Sequence, residues 1–297
     1  MIEQNFSAQK LRPGTWMISG GGDSCDRFLL AGDREAVMID AGCSVHDIRA
    51  FAQSLTPLPV RAVINTHSHF DHTGGNGFFD TVYLTEETSR SAKNTMGQAA
   101  QDYPLDYEYS FVGDEDIIDP GNRPLQIIKL DCHAPGSIAV LDAGRRLLFP
   151  GDEVDSGQVL LLPGYAEKPG QFHSRPASTV ETCLRALKKL AGFRKDFDLI
   201  CPGHNGAPIG ADWIDRYMEA AQAVLSGAEG SSDCSSPSYS PADEHYPLPE
   251  ANYRRFTLNG ASLVYCADLI YDSDYSHAGD LPCATKLHRI SADTARP

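Results

Sequence analysis

The stretch Thr66-His67-Ser68-His69-Phe70-Asp71-His72-Thr73-Gly74-Gly75 places three imidazoles and one carboxylate within six positions. Imidazole nitrogen and carboxylate oxygen are donors that zinc accepts, near-tetrahedrally, with an open position where the site is catalytic. Three further donors occupy comparable settings: His133 before Ala134-Pro135-Gly136, Asp152 after Pro150-Gly151, and His204 after Pro202-Gly203. Each lies in or just after a glycine- or proline-marked loop that follows a β-prone run. His67, His69, Asp71, His72, His133, Asp152 and His204 suffice for two metals if one carboxylate is shared. Two cations about 3.5–4 Å apart can clamp an in-line attack, and a water between them loses a proton readily. The hydroxide formed there needs no serine or cysteine nucleophile, and no Ser-His-Asp set is evident. Asp71 would orient that hydroxide or relay its proton, which makes it the one candidate catalytic side chain beyond metal binding.

The elements that must position these donors read as alternating strands and helices. Thr15–Ile18, Arg27–Leu30 and Ala36–Ile39 are short strands, the last two joined through Gly32-Asp33, a hairpin signal. Asp40-Ala41-Gly42 follows, with Asp40 read either as a support of the histidine loop or as a turn-former. A helix is expected from Ser44, with Asp47 as its capping-box partner and Ile48, Phe51, Ala52 and Leu55 on its apolar face. Arg61–Asn65 is the strand into the histidine loop. Thr81–Leu84 reads as a strand and 86–101 as one weakly amphipathic helix. Tyr103, Tyr107, Tyr109 and Phe111 serve packing or line a pocket. Strands return at Leu125–Leu130, Ser137–Leu141 and Arg146–Phe149. A helix capped by Ser178 with Glu181, a strand at Phe197–Cys201 and a helix from Asp212 to Leu225 complete the pattern. Residues 226–252 read as a linker or mobile loop. Tyr253–Leu258 and Ala261–Tyr265 flank Asn259-Gly260, a strong hairpin signal.

Composition narrows the class. The chain has 297 residues, 41% of them hydrophobic, enough for a substantial core. No apolar run approaches the roughly 20 residues that span a bilayer, and the N-terminus shows no basic-then-apolar leader, so a cytoplasmic protein without membrane contact is expected. The formal net charge of −15 repels phosphate backbones, and no Lys/Arg stripe counters it, so nucleic acid is not an expected partner. The eight cysteines form no CxxC pair and read as free, mainly buried thiols.

His67-Ser68-His69-Phe70-Asp71-His72 resembles the HxHxDH motif of the metallo-β-lactamase fold superfamily. Ile39-Asp40-Ala41-Gly42, His133-Ala134-Pro135-Gly136-Ser137, Gly151-Asp152 and Pro202-Gly203-His204 resemble four more of its motifs, in family order, over roughly residues 12–225. The resemblance implies a mixed α/β (α+β) fold, a four-layer αββα sandwich with the site at one edge. It implies a core over 1–225, with the 253–297 hairpin extension and tail packed on it. It implies that His67, His69 and His133 hold one metal, Asp71, His72 and His204 the other, and that Asp152 bridges. The implied cofactors are two Zn2+, with iron or manganese as alternative occupants. The common β-lactamases of the superfamily carry Cys where Asp152 stands, so β-lactam hydrolysis is at most a minor activity. The pattern is closer to glyoxalase II, lactonases and related esterases, which implies a metal-dependent hydrolase of a small-molecule ester, thioester or lactone. The alternatives are a mononuclear iron persulfide dioxygenase-type enzyme, a phosphodiesterase and a non-catalytic metal-binding sensor. Tyr165, Lys168 and His173, in the loop after Asp152, are the candidate substrate contacts. The 253–265 hairpin would cap the pocket or pair with a second copy in a homodimer.

Overall fold

A computed structural model of the chain describes residues 6–94, 99–161, 178–234 and 252–274, and the backbone of 163–165 and 172–176. The strands, in chain order, are β1 (Phe6–Arg12), β2 (Thr15–Gly20), β3 (Arg27–Ala31), β4 (Ala36–Ile39), β5 (Val60–Ile64), β6 (Thr81–Leu84), β7 (Tyr109–Phe111), β8 (Ile117–Ile118), β9 (Leu125–Lys129), β10 (Ile138–Asp142), β11 (Leu147–Gly151), β12 (Gln158–Leu160), β13 (Pro163–Tyr165), β14 (Phe172–Pro176), β15 (Leu199–Pro202), β16 (Ile209–Gly210), β17 (Tyr253–Leu258) and β18 (Ala261–Cys266). The helices are α1 (Ile48–Ser54), α2 (Phe70–Thr73), α3 (Glu86–Ser89), α4 (Val180–Ala191) and α5 (Trp213–Leu225).

Two sheets stack face to face. The first runs β1 to β7 in sequence order, antiparallel as far as β4 and parallel from there on. The second has the order β16-β15-β11-β10-β9-β8, with β11 and β15 parallel. Alternation along the strands divides the apolar residues between two faces. Phe28, Leu30, Val37, Ile39, Ala62 and Ile64 face Leu125, Ile127, Ile138, Val140, Leu147 and Phe149 across the sandwich. Their neighbours Leu29, Met38 and Val63 face outward onto Ile48 and Ala52 of α1. On the other side Ile128, Ala139, Leu141, Leu148 and Ile200 pack on α4 and α5. The result is the expected four-layer αββα arrangement.

One buried ion pair ties the layers together. Arg123 and Asp142 are essentially inaccessible to solvent. Arg123 donates to Asp142 Oδ2 at 2.8 Å, to the carbonyls of Gly14 and Ala31, and to Thr15 Oγ1 at 2.6 Å. One guanidinium thus clamps β10 of the second sheet to the β2–β3 edge of the first.

Several local expectations are corrected. The first helix begins at Ile48, and its cap is Asp47, which accepts from the Ala50 N–H at 2.9 Å. Ser44 instead accepts from the His46 N–H and makes a turn ahead of the helix. Thr179, not Ser178, caps α4 through the Thr182 N–H. The helix expected over 86–101 stops at Ser89. Ser89 Oγ donates to the Glu86 carbonyl, the next backbone bonds tighten to the i→i+3 pattern, and Tyr107 donates its hydroxyl to the Ala92 carbonyl. Residues 95–98 lie outside the described residues. The aromatic run serves packing at Tyr107, which is 7% exposed.

The other expected elements form. The Asn259-Gly260 hairpin joins β17 to β18, with both turn residues at positive φ, as a tight right-twisting hairpin requires. Among the described residues seven cysteines are free thiols, six of them buried. None of the helices among the described residues is long and apolar enough to cross a membrane. The stretch read as a linker falls largely on 235–251, outside the described residues.

Candidate metal centre

Parallel strand pairs bring the donors together, because their carboxyl ends point the same way. β4 and β5 end at Ile39 and Ile64 in register, and β11 and β15 end at Gly151 and Pro202 in register. Two backbone bonds join the loops that follow across the sandwich edge. The Ile138 N–H donates to the Thr66 carbonyl at 2.8 Å, and the Asp26 N–H to the Gly203 carbonyl at 2.7 Å. After β5 the chain makes the single turn α2, so His69, Asp71 and His72 project from one compact loop.

Asp40 organises that loop. It takes the left-handed conformation at the end of β4, with φ +56°, which a short polar side chain tolerates. Its carboxylate accepts from the Thr66 N–H at 2.8 Å and from Thr66 Oγ1 at 2.7 Å, and it lies 2.8 Å from His72 Nδ1. Asn65 and Asn76 pair amide to amide beneath, and Asn65 also donates to the His72 carbonyl.

The same device recurs at four imidazoles. His72 Nδ1–H donates to Asp40, His133 Nδ1–H to the Leu160 carbonyl at 2.8 Å, and His204 Nδ1–H to the Ser24 carbonyl at 3.0 Å. Thr66 Oγ1 gives its proton to Asp40, so at 3.0 Å it accepts from His67 Nδ1–H. Each Nε2 is thereby aimed inward, and in the neutral ring it is the nitrogen that carries the lone pair, which is how ligating imidazoles are oriented. His69 differs in that its Nδ1 faces the centre, 3.0 Å from His133 Nε2.

The structure brings all seven predicted donors together, in two groups. His67, His69, His133 and Asp152 form one, and Asp71, His72 and His204 the other, with the donor atoms of each within 4.8 Å of one another. Asp152 stands between them. Its Oδ2 is 3.5 Å from His133 Nε2 and 3.4 Å from His204 Nε2, and its Oδ1 is 3.3 Å from His72 Nε2. Asp71 Oδ2 is 3.2 Å from His204 Nε2. Of the other candidates, Tyr165 ends β13 and His173 lies in β14, with their side chains outside the described residues. Lys168 is entirely outside them.

The donor set fits divalent cations on two counts. His67 Nε2 and Asp152 Oδ1 are buried at its centre with no hydrogen-bond partner, an arrangement that costs free energy unless an ion or water occupies the space. The electrostatics are also unbalanced. Burial, then the neighbouring imidazoles His72 and His69, holds the pKa of His67 well below the ordinary value. Burial, then His133, brings His69 down to about 3. In the second group burial works against a proton on His72 and on His204. At His72 the neighbouring Cys25, Asp152, Asp40 and Asp71 outweigh it, and at His204 Asp152 and Asp71 do, so both pKa values are held well above the ordinary one. The carboxyls respond in kind: burial pushes Asp152 up, but His204 and His72 hold it well below the usual range. The pair of carboxylates therefore calls for positive charge, which protons or cations can supply.

Gly203 completes the cradle. A methyl at its Cα would stand 2.7 Å from His72 Cε1 and overlap Asp152 Oδ1. Gly203 is not among the positive-φ residues, so the backbone tolerates alanine there. Gly203→Ala is expected to keep its circular dichroism and to lose at least about tenfold in zinc affinity, the range found for disturbed ligand supports. A competitive chelator titration measures this, and an unchanged affinity contradicts the cradle.

Positioning residues that the sequence reading did not single out are now visible. Glu153, buried next to Asp152, accepts from the N–H groups of Cys132 and His133 at 3.2 and 2.8 Å and from Ser137 Oγ, and so holds the His133 loop. Asp23 accepts from the Cys25 and Cys43 N–H groups and pairs with the inaccessible Arg27, fixing the loop that carries the Ser24 carbonyl. The neighbouring carboxylate in Gly151-Asp152-Glu153 was a readable signal for Glu153. The carbonyls of Ser24 and Leu160 left none, because a backbone acceptor has no residue type.

A family model described as "Metallo-beta-lactamase superfamily" matches residues 20–204. Acyl-coenzyme A thioesterase MBLAC2 from Bos taurus is 26% identical over 216 residues, which cover 62% of this chain and 74% of the relative. A hydroxyacylglutathione hydrolase from Aliivibrio salmonicida is 26% identical over 170 residues, 57% of each chain. Among solved structures, a metallo beta lactamase from Hirschia baltica has a TM-score of 0.53 at 20% identity, covering 73% of this chain and 97% of that one. One from Erythrobacter litoralis has a TM-score of 0.55 at 17% identity, covering 75% and 98%. These structures share the fold.

Proposed function

The chain belongs to the metallo-β-lactamase superfamily, a hydrolase fold with a divalent-metal site, and from that premise we propose that it is a dinuclear zinc hydrolase of a small-molecule thioester, ester or lactone. The observation that carries this reading is the pair of buried, unpartnered atoms, His67 Nε2 and Asp152 Oδ1, between two converging donor groups. His67, His69 and His133 would hold one ion, Asp71, His72 and His204 the other, and Asp152 both. Two zinc ions held there would supply Lewis acidity toward the substrate carbonyl and a water acidified toward a pKa of about 7.

The chain's own residues do the rest. The four Nδ1–H contacts keep each Nε2 facing the centre before any ion arrives, so loading would replace protons on His72 and His204 without turning a ring. Asp71, 29% exposed at its side chain, is more open than Asp152 at 15% or His204 at 19%. It would be the carboxylate that orients the attacking water or relays its proton. Asp152 in place of a cysteine gives an all-nitrogen-and-oxygen donor set, which suits zinc, iron or manganese.

The activities of the two relatives supply the first probes. Acyl-coenzyme A and hydroxyacylglutathione are to be assayed beside a lactone, a phosphodiester and a β-lactam, with the chain loaded with zinc. Turnover greatest on a thioester, ester or lactone is expected. No turnover on any of them by the fully loaded chain would replace this reading with a metal-binding sensor. Oxygen consumption on a persulfide would replace it with an oxygenase.

A further inference from the structure

We infer that the C-terminal hairpin β17–β18, which lies beyond the family-matched residues, is a positioning element of the metal centre, acting on His133 through β12. This inference rests on the reading of His133 as a ligand.

The path is short and continuous. His133 Nδ1–H donates to the Leu160 carbonyl at 2.8 Å, the contact that leaves its Nε2 free to face the centre. Leu160 is the last residue of β12, a three-residue strand. That strand belongs to neither large sheet. Among the described residues its one strand partner is β18, with Gln158, Val159 and Leu160 opposite Ser262, Leu263 and Val264 in parallel. The Leu161 N–H continues the ladder to the Val264 carbonyl at 2.7 Å. A three-residue strand with no partner does not hold a carbonyl in place, because isolated pairings are marginal in water. The hairpin is therefore what fixes the acceptor that orients His133.

Side chains reinforce the ladder on both faces. Leu160 packs against the cluster of Val264, Cys266, Tyr253, Cys234 and Leu269. On the opposite face Leu263 joins Val159 and Leu161 in the core beneath α4 and α5. The hairpin is in turn anchored at a distance from the metal centre. Asn259 donates to Glu219 on α5 at 2.8 Å, and Tyr271 to the Leu225 carbonyl at 2.6 Å. Asp272 accepts from Thr179 and Thr182 at the start of α4, at 2.5 and 2.8 Å. The extension is thus strapped to two helices and presents one strand edge to β12. The segment that leaves β12 runs into β13, so the same edge also holds the start of the loop after the metal centre.

The test uses the full chain and two truncations in cores of equal burial. Val264→Ala loosens the contact with Leu160, and Val60→Ala at the start of β5 makes the same truncation in a separate core cluster that contains no residue of β12. The readouts are zinc affinity by chelator competition and the Nδ1–H resonance of His133 in 15N-histidine-labelled protein. Val264→Ala is expected to lose about tenfold in affinity for one of two zinc ions and to exchange the His133 Nδ1–H faster. Val264→Ile is expected to restore both, and Val60→Ala to change neither. Equal loss in Val60→Ala, or wild-type affinity and exchange in Val264→Ala, would overturn the inference. If zinc leaves the His133 resonances of the wild-type chain unshifted, the ligand reading falls and this inference with it. A chain that binds zinc at His133 yet turns over no substrate contradicts the hydrolase reading alone.

Discussion

Asp152→Ala is expected to retain its fold, bind fewer than two zinc ions and lose well over about 100-fold in kcat/KM. That figure is the upper end of what removing a ligand's hydrogen-bond support costs, and Asp152 is closer to the chemistry than any support. Its two oxygens lie within 3.5 Å of His133 in one group and of His204 and His72 in the other, so its carboxylate faces both. Removing it also removes one of the groups that oppose burial at His72 and His204. Those imidazoles are then less readily protonated, so the variant should not unfold from excess buried charge. Circular dichroism, metal analysis and initial rates on the best substrate check the three parts separately. A fully loaded, fully active variant would remove Asp152 from the centre.

The second large effect lies far from the metal centre. Asp142→Ala should lower the free energy of unfolding by about 3–5 kcal/mol, because it strands the Arg123 guanidinium in the sandwich interior. A guanidinium does not deprotonate in proteins, so with Asp142 gone the buried Arg123 stays charged and cannot escape by losing its proton. The double change Arg123→Met with Asp142→Leu should cost less than the sum of the two single changes, as coupled partners do. Urea denaturation with an unchanged m-value measures it. Single and double variants that simply add would show that the pair does not act as a unit.

The metal centre was legible in the sequence because coordination chemistry restricts residue type. Only His, Asp, Glu and Cys serve, and seven of them stand at the ends of β-prone runs. The layers were legible because short, nearly continuous apolar runs such as Phe28–Leu30, Ala36–Ile39 and Ile138–Leu141 are what strands covered on both faces require. Helix starts were less legible. Ser44 and Asp47, or Ser178 and Thr179, are all good caps, and tertiary position decides between them. The helix expected over 86–101 failed because Ser89 and Tyr107 compete for its carbonyls, which no periodicity reveals. The supports at Leu160 and Ser24 were illegible for a deeper reason, since they act through backbone oxygens that any residue would present.

The most direct measurement is the metal content of the purified full-length chain, by mass spectrometry, before and after reconstitution with excess zinc. Two zinc ions per chain after reconstitution, with hydrolysis of a thioester, ester or lactone lost on chelation and regained on readdition, is the predicted result. One iron per chain with consumption of oxygen, or a chain that takes up no second ion at any zinc concentration, would contradict it.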